Sequence, residues 1–580
     1  MKHAALIIPV LMLVTLVPSA RALGGDAATH AAARKCAICG MIDCQMGCKA
    51  ENVNAQGERL MVMPGIPDWM FYGGIGVILA VSFLLAEIVG RKPGRRTKWR
   101  FNVLRFKPLK ALIRKPYFQF MLQAPLAVLF LLLIYIGLFG RQDASNITPA
   151  LTWTIWWATL IGMVMLMGKT WCLICPWDLI ATSLSKLKFW GTGPSPLNLG
   201  LKWPKFLSNI AMAIVLFVVL TWLELGYHIT SSPKYTAYMA IGVLMLSIVP
   251  MLLFERKSYC RHGCFVGRIS GLYATFAPVE VRAADKEICK ACKTRDCYVG
   301  NDKGNPCPTG LCLATLEDNT YCLKCTECVR SCPNDNVAIN IRPFAEDLFN
   351  YTGPRLDEAI LAVVLLSMTV FHGLTMTPFW ENVTAPEGTV IGWITEVCGT
   401  GRLMSFTIGM TAVLLAPMLL YIGFCMLARL LGKRLGPKED AGAENVSAMK
   451  IFIQFSYSVL PIALFYHVAH NGMHLFMEGQ NIVPLLSDPL GYGWDLFGTK
   501  DMRNLPPILG KDVIWTTQVL LVIIGHVFGI IVSQKTARKL FGEGRLATVV
   551  QVPLLVAMII FSFLSLWIMH LDMNMRGTLM

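Results

Sequence analysis

Ten apolar stretches, each near the ~20 residues that a bilayer crossing requires, constrain this chain more than anything else in it. They cover roughly 69–89, 117–139, 151–168, 206–226, 236–254, 357–380, 403–428, 451–477, 513–533 and 546–570. Hydrocarbon offers backbone groups no partner, so each stretch must close its own hydrogen bonds as a helix. Composition agrees. Of the 580 residues, 55% are hydrophobic and 15% charged, against about 25% charged in soluble domains. A soluble globular enzyme, a disordered chain and a small disulfide scaffold are excluded. The expectation is an all-α polytopic membrane protein with about ten helices.

The net charge of +16 is first an insertion signal. Residues 1–22 read as a secretory signal peptide: Lys2 and His3, then the apolar Ala4–Val17, then Ala20-Arg21-Ala22 as a cleavage site. Residues 23–68 then form an extracytoplasmic, Cys-rich segment. Counting inward from there, the first inner loop carries Arg91, Lys92, Arg95, Arg96, Lys98 and Arg100, with further bases to Lys115. Later inner loops carry Lys433 with Arg434, and Lys535 with Lys539. Outer segments hold few bases, as the positive-inside rule requires. The expected place is a bacterial or archaeal cytoplasmic membrane, with anionic lipid contact and no nucleic-acid partner.

Residues 280–345 interrupt the apolar pattern on the inner side. They contain Cys322-x2-Cys325-x2-Cys328-x3-Cys332-Pro333, the bacterial iron–sulfur spacing. Three thiolates within seven residues wrap one corner of a cubane, and the fourth turns toward a second cluster. The other half is Cys289-x2-Cys292-x4-Cys297-x9-Cys307-Pro308, a stretched copy. The crossed rule assigns Cys289, Cys292, Cys297 and Cys332 to one [4Fe–4S] cluster, and Cys307, Cys322, Cys325 and Cys328 to the other. Cys312 is left as a spare ninth cysteine. A zinc ribbon is the rival reading. The expected unit is a small α+β two-cluster ferredoxin-like insert, between a five-helix domain at 69–279 and a second five-helix domain at 346–580.

With these motifs, residues 70–345 resemble the NosR/NapH-type membrane polyferredoxins, a family that includes the oxidase assembly protein CcoG. Members carry two membrane-edge C-x3-C-P motifs. Here Cys172-x2-Cys175-Pro176 is one residue shorter, and Cys260-x3-Cys264 is followed by Phe265. Both pairs fall at the inner face, as four thiolates for a metal, as a redox-active pair, or as ordinary buried thiols. The resemblance implies electron transfer between the membrane quinone pool, the cytoplasmic clusters and an extracytoplasmic redox protein. The flavin domain of the NosR branch and the immunoglobulin-like tail of the CcoG branch have no counterpart.

After the signal come Cys36-x2-Cys39-Gly40-Met41 and Cys44-x3-Cys48. Soft thiolate and thioether donors suit copper, zinc or a further iron–sulfur cluster. Two disulfides suit the same four cysteines in an oxidising compartment.

The second helical domain places histidines in or at the ends of its spans, where they are costly and mark function. His467-x2-His470-x3-His474 puts three imidazoles along one face of the eighth span. Depth arithmetic pairs His467 with His526 as axial ligands of a b-type haem, with His372 opposite His467 or His470 as the second choice. A quinone site and interhelical hydrogen bonds compete with haem. Haem has a physical attraction, since electrons must cross ~30 Å of hydrocarbon. No nucleotide loop or hydrolase triad is present. Two functions follow: a membrane electron relay acting as a quinol dehydrogenase-type subunit, or a copper-binding or copper-reducing assembly factor.

Overall fold

The computed structural model describes residues 52–53, 59–60, 62–88, 99–351, 353–384, 389–399, 401–435, 446–502, 505–542 and 544–574. The signal peptide and the cysteines Cys36, Cys39, Cys44 and Cys48 lie outside the described residues. The helices used below are α1 (Asp68–Ile88), α2 (Phe118–Phe139), α3 (Trp157–Met167), α4 (Thr170–Ile174), α5 (Pro176–Lys186), α6 (Ala211–Gly226), α7 (Pro233–Leu253), α8 (Ser258–His262), α9 (Phe265–Tyr273), α10 (Leu356–Thr375), α11 (Arg402–Leu435), α12 (Ala448–Glu478), α13 (Lys511–Phe541) and α14 (Arg545–His570). A π-helical stretch, Ala150–Trp156, leads into α3.

Among the described residues nine helices are long and apolar enough to cross a membrane, which makes this a multi-pass membrane protein. The sequence gives ten stretches, and the difference lies in 206–226. Pro204 and Trp203 close a turn there, with the Trp203 indole donating to the Leu207 carbonyl. Asn209 then accepts from the Ala211 N–H, so helix begins only at Ala211. The 16 residues of α6 rise about 24 Å. They nevertheless run alongside α10: the Ile210 N–H bonds Asp357 at its start, and Glu224 meets His372 near its end.

Helix ends follow local chemistry. Ser232 accepts from the Tyr235 N–H and Pro233 occupies the first turn of α7, a pairing suited to a helix start. Ser447 caps α12 on the Lys450 N–H. Helices α10 and α12 form the buried centre, while α2 and α7 are largely exposed on the bundle's outside. Val62–Met63 pairs antiparallel with Met573–Asn574, joining the start of α1 to the end of α14. His570 locks that end by bonding the Ile66 carbonyl at 2.8 Å. The opposite end carries the cysteine-rich insert.

The insert is organised by a three-stranded antiparallel sheet of β1 (Phe101–Asn102), β2 (Val279–Ala283) and β3 (Val337–Ile341), in the order β1-β3-β2. β2 and β3 pair from Val279 opposite Ile341 to Ala283 opposite Val337. Alternation along them buries Val281 and Val337 in a small core with Leu104, Ile113, Leu313, Leu316 and Val329. Below the sheet sits a buried charge network. Glu280 meets Arg342 at 2.8 Å and Arg100 at 3.0 Å, and Asp347 meets Arg282 at 3.3 Å and also pairs with Arg342.

A second polar anchor ties the insert to the bundle. The fully buried Glu358 accepts hydroxyl hydrogens from Tyr321 at 2.9 Å and from Tyr351 and Tyr457 at 2.8 Å each. Glu358→Leu strands these hydroxyls. The expected loss is on the order of 3 kcal/mol, read as a lower thermal inactivation midpoint in detergent. Glu358→Gln keeps an acceptor and retains most of the stability.

Candidate functional site

Two sites emerge, a cysteine-rich one at the insert end and a histidine pocket in the other half of the bundle. In the insert, Lys324 and Thr326 flank Cys325 with φ of 55° and 63°. Left-handed backbone is costly for such residues, and here it winds the 322–328 segment into a tight loop. Cys297, Cys307, Cys322, Cys325 and Cys328 line one cavity of that loop, closed by Val281, Leu313 and Leu323. It brings together the four cysteines that the crossed rule groups, and with them Cys297, which that rule assigns to the other set. Burial pushes the thiols of Cys322, Cys325 and Cys328 up.

The other set is drawn together by Asn336. Its backbone N–H donates to Cys332 Sγ and its side-chain amide to Cys289 Sγ, each at 3.3 Å. Cys297 is half-buried, and the desolvation raises its thiol to about 11, while it accepts from the Leu313 N–H. Cys312, left spare by the sequence, is close enough to feel the charges of Cys289 and Cys297. Cys292 faces the Arg295 backbone N–H and the Thr294 hydroxyl, which lower its thiol. The spacing rule has no place for Cys312, because it follows the Cys-Pro signature; the Cys297–Leu313 contact is the signal, and it is tertiary.

The membrane-edge pairs meet. Cys172 lies on α4 and Cys175 precedes α5; Cys260 lies on α8 and Cys264 precedes α9. Asp178 accepts from Lys257 at 2.7 Å, clamping the two segments together. Each of the four thiols lies within electrostatic reach of another. Burial raises all four, Cys264 to about 11. Buried Lys169 is pushed down to about 8 by desolvation and by Arg268. Among the described residues no three His, Cys, Asp or Glu side chains close on a single point as one metal ion would demand. Cys398 is exposed and Cys425 is buried in the bundle.

His372, His467, His470 and His474 line one pocket with Glu224, Tyr466, Trp153 and Trp157. His467 Nδ1 meets the Tyr273 hydroxyl at 3.2 Å, His474 meets Glu478 at 3.3 Å, and His372 meets Glu224 at 3.8 Å. His474 Nε2 and the Tyr466 hydroxyl are buried with no hydrogen-bond partner among the described residues.

The structure corrects the first-choice haem pair. His526 faces the other side of the bundle, with Ser82 at 2.7 Å from Nε2 and Ser562 at 2.9 Å from Nδ1. Both ring nitrogens are engaged, so neither is placed to ligate iron opposite His467. Depth along the spans was right to bring α12 and α13 together, but azimuth around α13 decides which neighbour the ring meets. The pocket at His372, His467 and His470 has a cavity of about 20 Å³. The second-choice pair, His372 with His467 or His470, does share this pocket.

Aromatic rings link the two sites. Trp171, next to Cys172, lies 5.3 Å from Trp156, which lies 5.8 Å from Trp157, which lies 6.1 Å from His467. Tyr273, at the end of the helix that Cys264 begins, reaches the same imidazole. No protein-family model matches the chain, and no curated protein or solved structure matches it.

Proposed function

We propose that this chain is a membrane electron-transfer protein that relays electrons between the quinone pool, or a cytoplasmic donor, and an extracytoplasmic redox partner. The reading places the insert on the cytoplasmic side, where the basic loops put it, and keeps the resemblance to the NosR/NapH-type polyferredoxins. The observation that supports it most is the cavity lined by Cys297, Cys307, Cys322, Cys325 and Cys328, residues drawn from both halves of the motif.

The donor set fits two [4Fe–4S] clusters. Cys307, Cys322, Cys325 and Cys328 would hold one, and Cys289, Cys297 and Cys332 the other, with Cys292 or Cys312 as its fourth ligand. Sulfurs that accept backbone N–H groups, as Cys307 does from Leu311 at 3.2 Å and Cys332 from Asn336 at 3.3 Å, suit anionic thiolates. Bound clusters supply one-electron carriage at potentials set by these hydrogen bonds and by solvent exposure. The insert's own residues fix position: Asn336 holds Cys289 against Cys332, and the small apolar core keeps water from the loop.

Oxidation of a quinol releases two electrons and two protons, and the protons need acceptors. The imidazoles of His372, His467, His470 and His474, which line one cavity with Glu224, would provide them. Trp157, Trp156 and Trp171 give unbroken packing from there to the membrane-edge cysteines. The copper-factor alternative rests on Cys36–Cys48, outside the described residues, and no structural observation favours it.

The test adds a quinol anaerobically to oxidised protein in lipid nanodiscs. The visible iron–sulfur absorption should bleach; full bleaching by dithionite with none by any quinol, or no such absorption at all, contradicts the proposal. Glu224→Gln or His467→Phe should slow bleaching by quinol about 100-fold while leaving bleaching by dithionite unchanged.

A further inference from the structure

We propose that Cys172, Cys175, Cys260 and Cys264 hold an iron–sulfur cluster, a third redox centre between the insert and the histidine pocket. The inference rests on the reading of the insert as an iron–sulfur unit.

The two cysteine pairs sit in the same local frame. In each, a span ends, a five-residue helix carries the first cysteine, and the second cysteine occupies the N-cap of the next helix. The Gly267 N–H donates to Cys264 Sγ at 3.3 Å. The nine-residue α9 thus starts at a cysteine sulfur, and Cys175 holds the N-cap position of the 11-residue α5 without a side-chain capping bond; helix N-termini favour negative charge.

Two cross-links hold the frames face to face. Lys257, three residues before Cys260, pairs with Asp178, three residues after Cys175. At the other side Lys169, before Cys172, and Arg268, after Cys264, both donate to the Thr320 carbonyl, at 3.5 and 2.9 Å. Thr320 stands two residues from Cys322, so the four-cysteine site abuts the insert. Lys257 is near enough to feel both Cys260 and Cys325.

Charge balance calls for an anion here. Lys169 is 0% and Arg268 2% exposed, and among the described residues neither forms an ion pair. Buried donors beside these cysteines in the chain also lack acceptors among the described residues: the Tyr259 hydroxyl next to Cys260, the Trp171 indole next to Cys172, the Trp177 indole two residues after Cys175, and Arg268 Nε itself. Buried donors are rarely left so. A tetrathiolate cluster with bridging sulfides supplies both negative charge and acceptors. Zinc fits less well: a tetrahedral ion draws four sulfurs to about 2.3 Å from one point, and no three donors close that way. The centre's chemistry is gain and loss of one electron, exchanged with the insert on one side and with the quinol-derived electrons on the other.

The test measures iron, zinc, Mössbauer and EPR signals on the full chain in nanodiscs, for wild type, Cys172→Ser/Cys260→Ser and Cys325→Ser/Cys328→Ser. The first variant should lose about two or four irons per chain and one set of signals while keeping those of the insert. The second should lose a different set. Iron and signals identical in wild type and the Cys172/Cys260 variant overturn the third centre alone, as does one zinc per chain that vanishes with these cysteines. Iron lost in the Cys172/Cys260 variant from a wild type without insert signals sinks the insert reading instead. Arg268→Gln, which leaves every cysteine in place, should lower the midpoint potential of the third signal only; an unmoved potential overturns the proposal.

Discussion

Replacing Cys325 and Cys328 together by serine is expected to remove about four of the eight irons that two cubanes in the insert require. Both side chains line the cavity with Cys307 and Cys322, and two remaining thiolates cannot hold a cubane. The set around Asn336 is separate, so its iron should stay and its EPR signal should lose the broadening that a nearby paramagnet causes. Quinol should then no longer bleach the missing absorption. The variant should also unfold earlier. Lys324 and Thr326 sit in left-handed backbone, which persists only where surroundings over-determine it, and ligation is the strongest such constraint in a loop of this length. Metal analysis and EPR on one preparation check both halves of the expectation.

Asp347→Ala should cost the chain about 3–5 kcal/mol, the largest effect expected of any single substitution remote from the cysteines. Asp347 is 5% exposed and accepts from Arg282, from Arg342 and from the Asn319 N–H at 2.9 Å. Removing it leaves two guanidinium groups, 8% and 3% exposed, with Glu280 as their remaining carboxylate. Arg342→Met combined with Asp347→Leu removes charge from both sides, and should restore a large part of the loss, because the residual penalty is that of an uncompensated buried charge. Thermal inactivation of the single and double variants separates this from a packing defect, which the double change would not relieve.

The spans were legible because lipid forces a helix on any long apolar run, and nine of them start or stop within a few residues of the hydropathy limits. The exception, 206–226, shows what hydropathy averages away. Asn209 and the Trp203–Leu207 turn set the start of α6, and both signals are polar contacts shorter than any averaging window. Spacing put Cys307, Cys322, Cys325 and Cys328 together, and they do line one cavity, which Cys297 also enters. Cys312 was not legible by spacing, because its neighbours Cys289 and Cys297 reach it through the fold of the 286–315 segment.

The histidines divide in the same way. Spacing on one helix placed His467, His470 and His474 on one face, and they do share a pocket. Pairing across helices needs rotation about each axis, which a depth count omits; His526 therefore meets Ser82 and Ser562. The buried cations Lys169 and Arg268 had no signature in sequence, because their meaning depends on a shared carbonyl at Thr320 that lies far away along the chain.

Iron and acid-labile sulfide per polypeptide, measured on anaerobically isolated full-length protein, test the central claim most directly. The account predicts no fewer than about eight of each, of which about four are lost together when Cys325 and Cys328 are replaced. Stoichiometric zinc in place of iron, or iron far below eight with no labile sulfide, contradicts it.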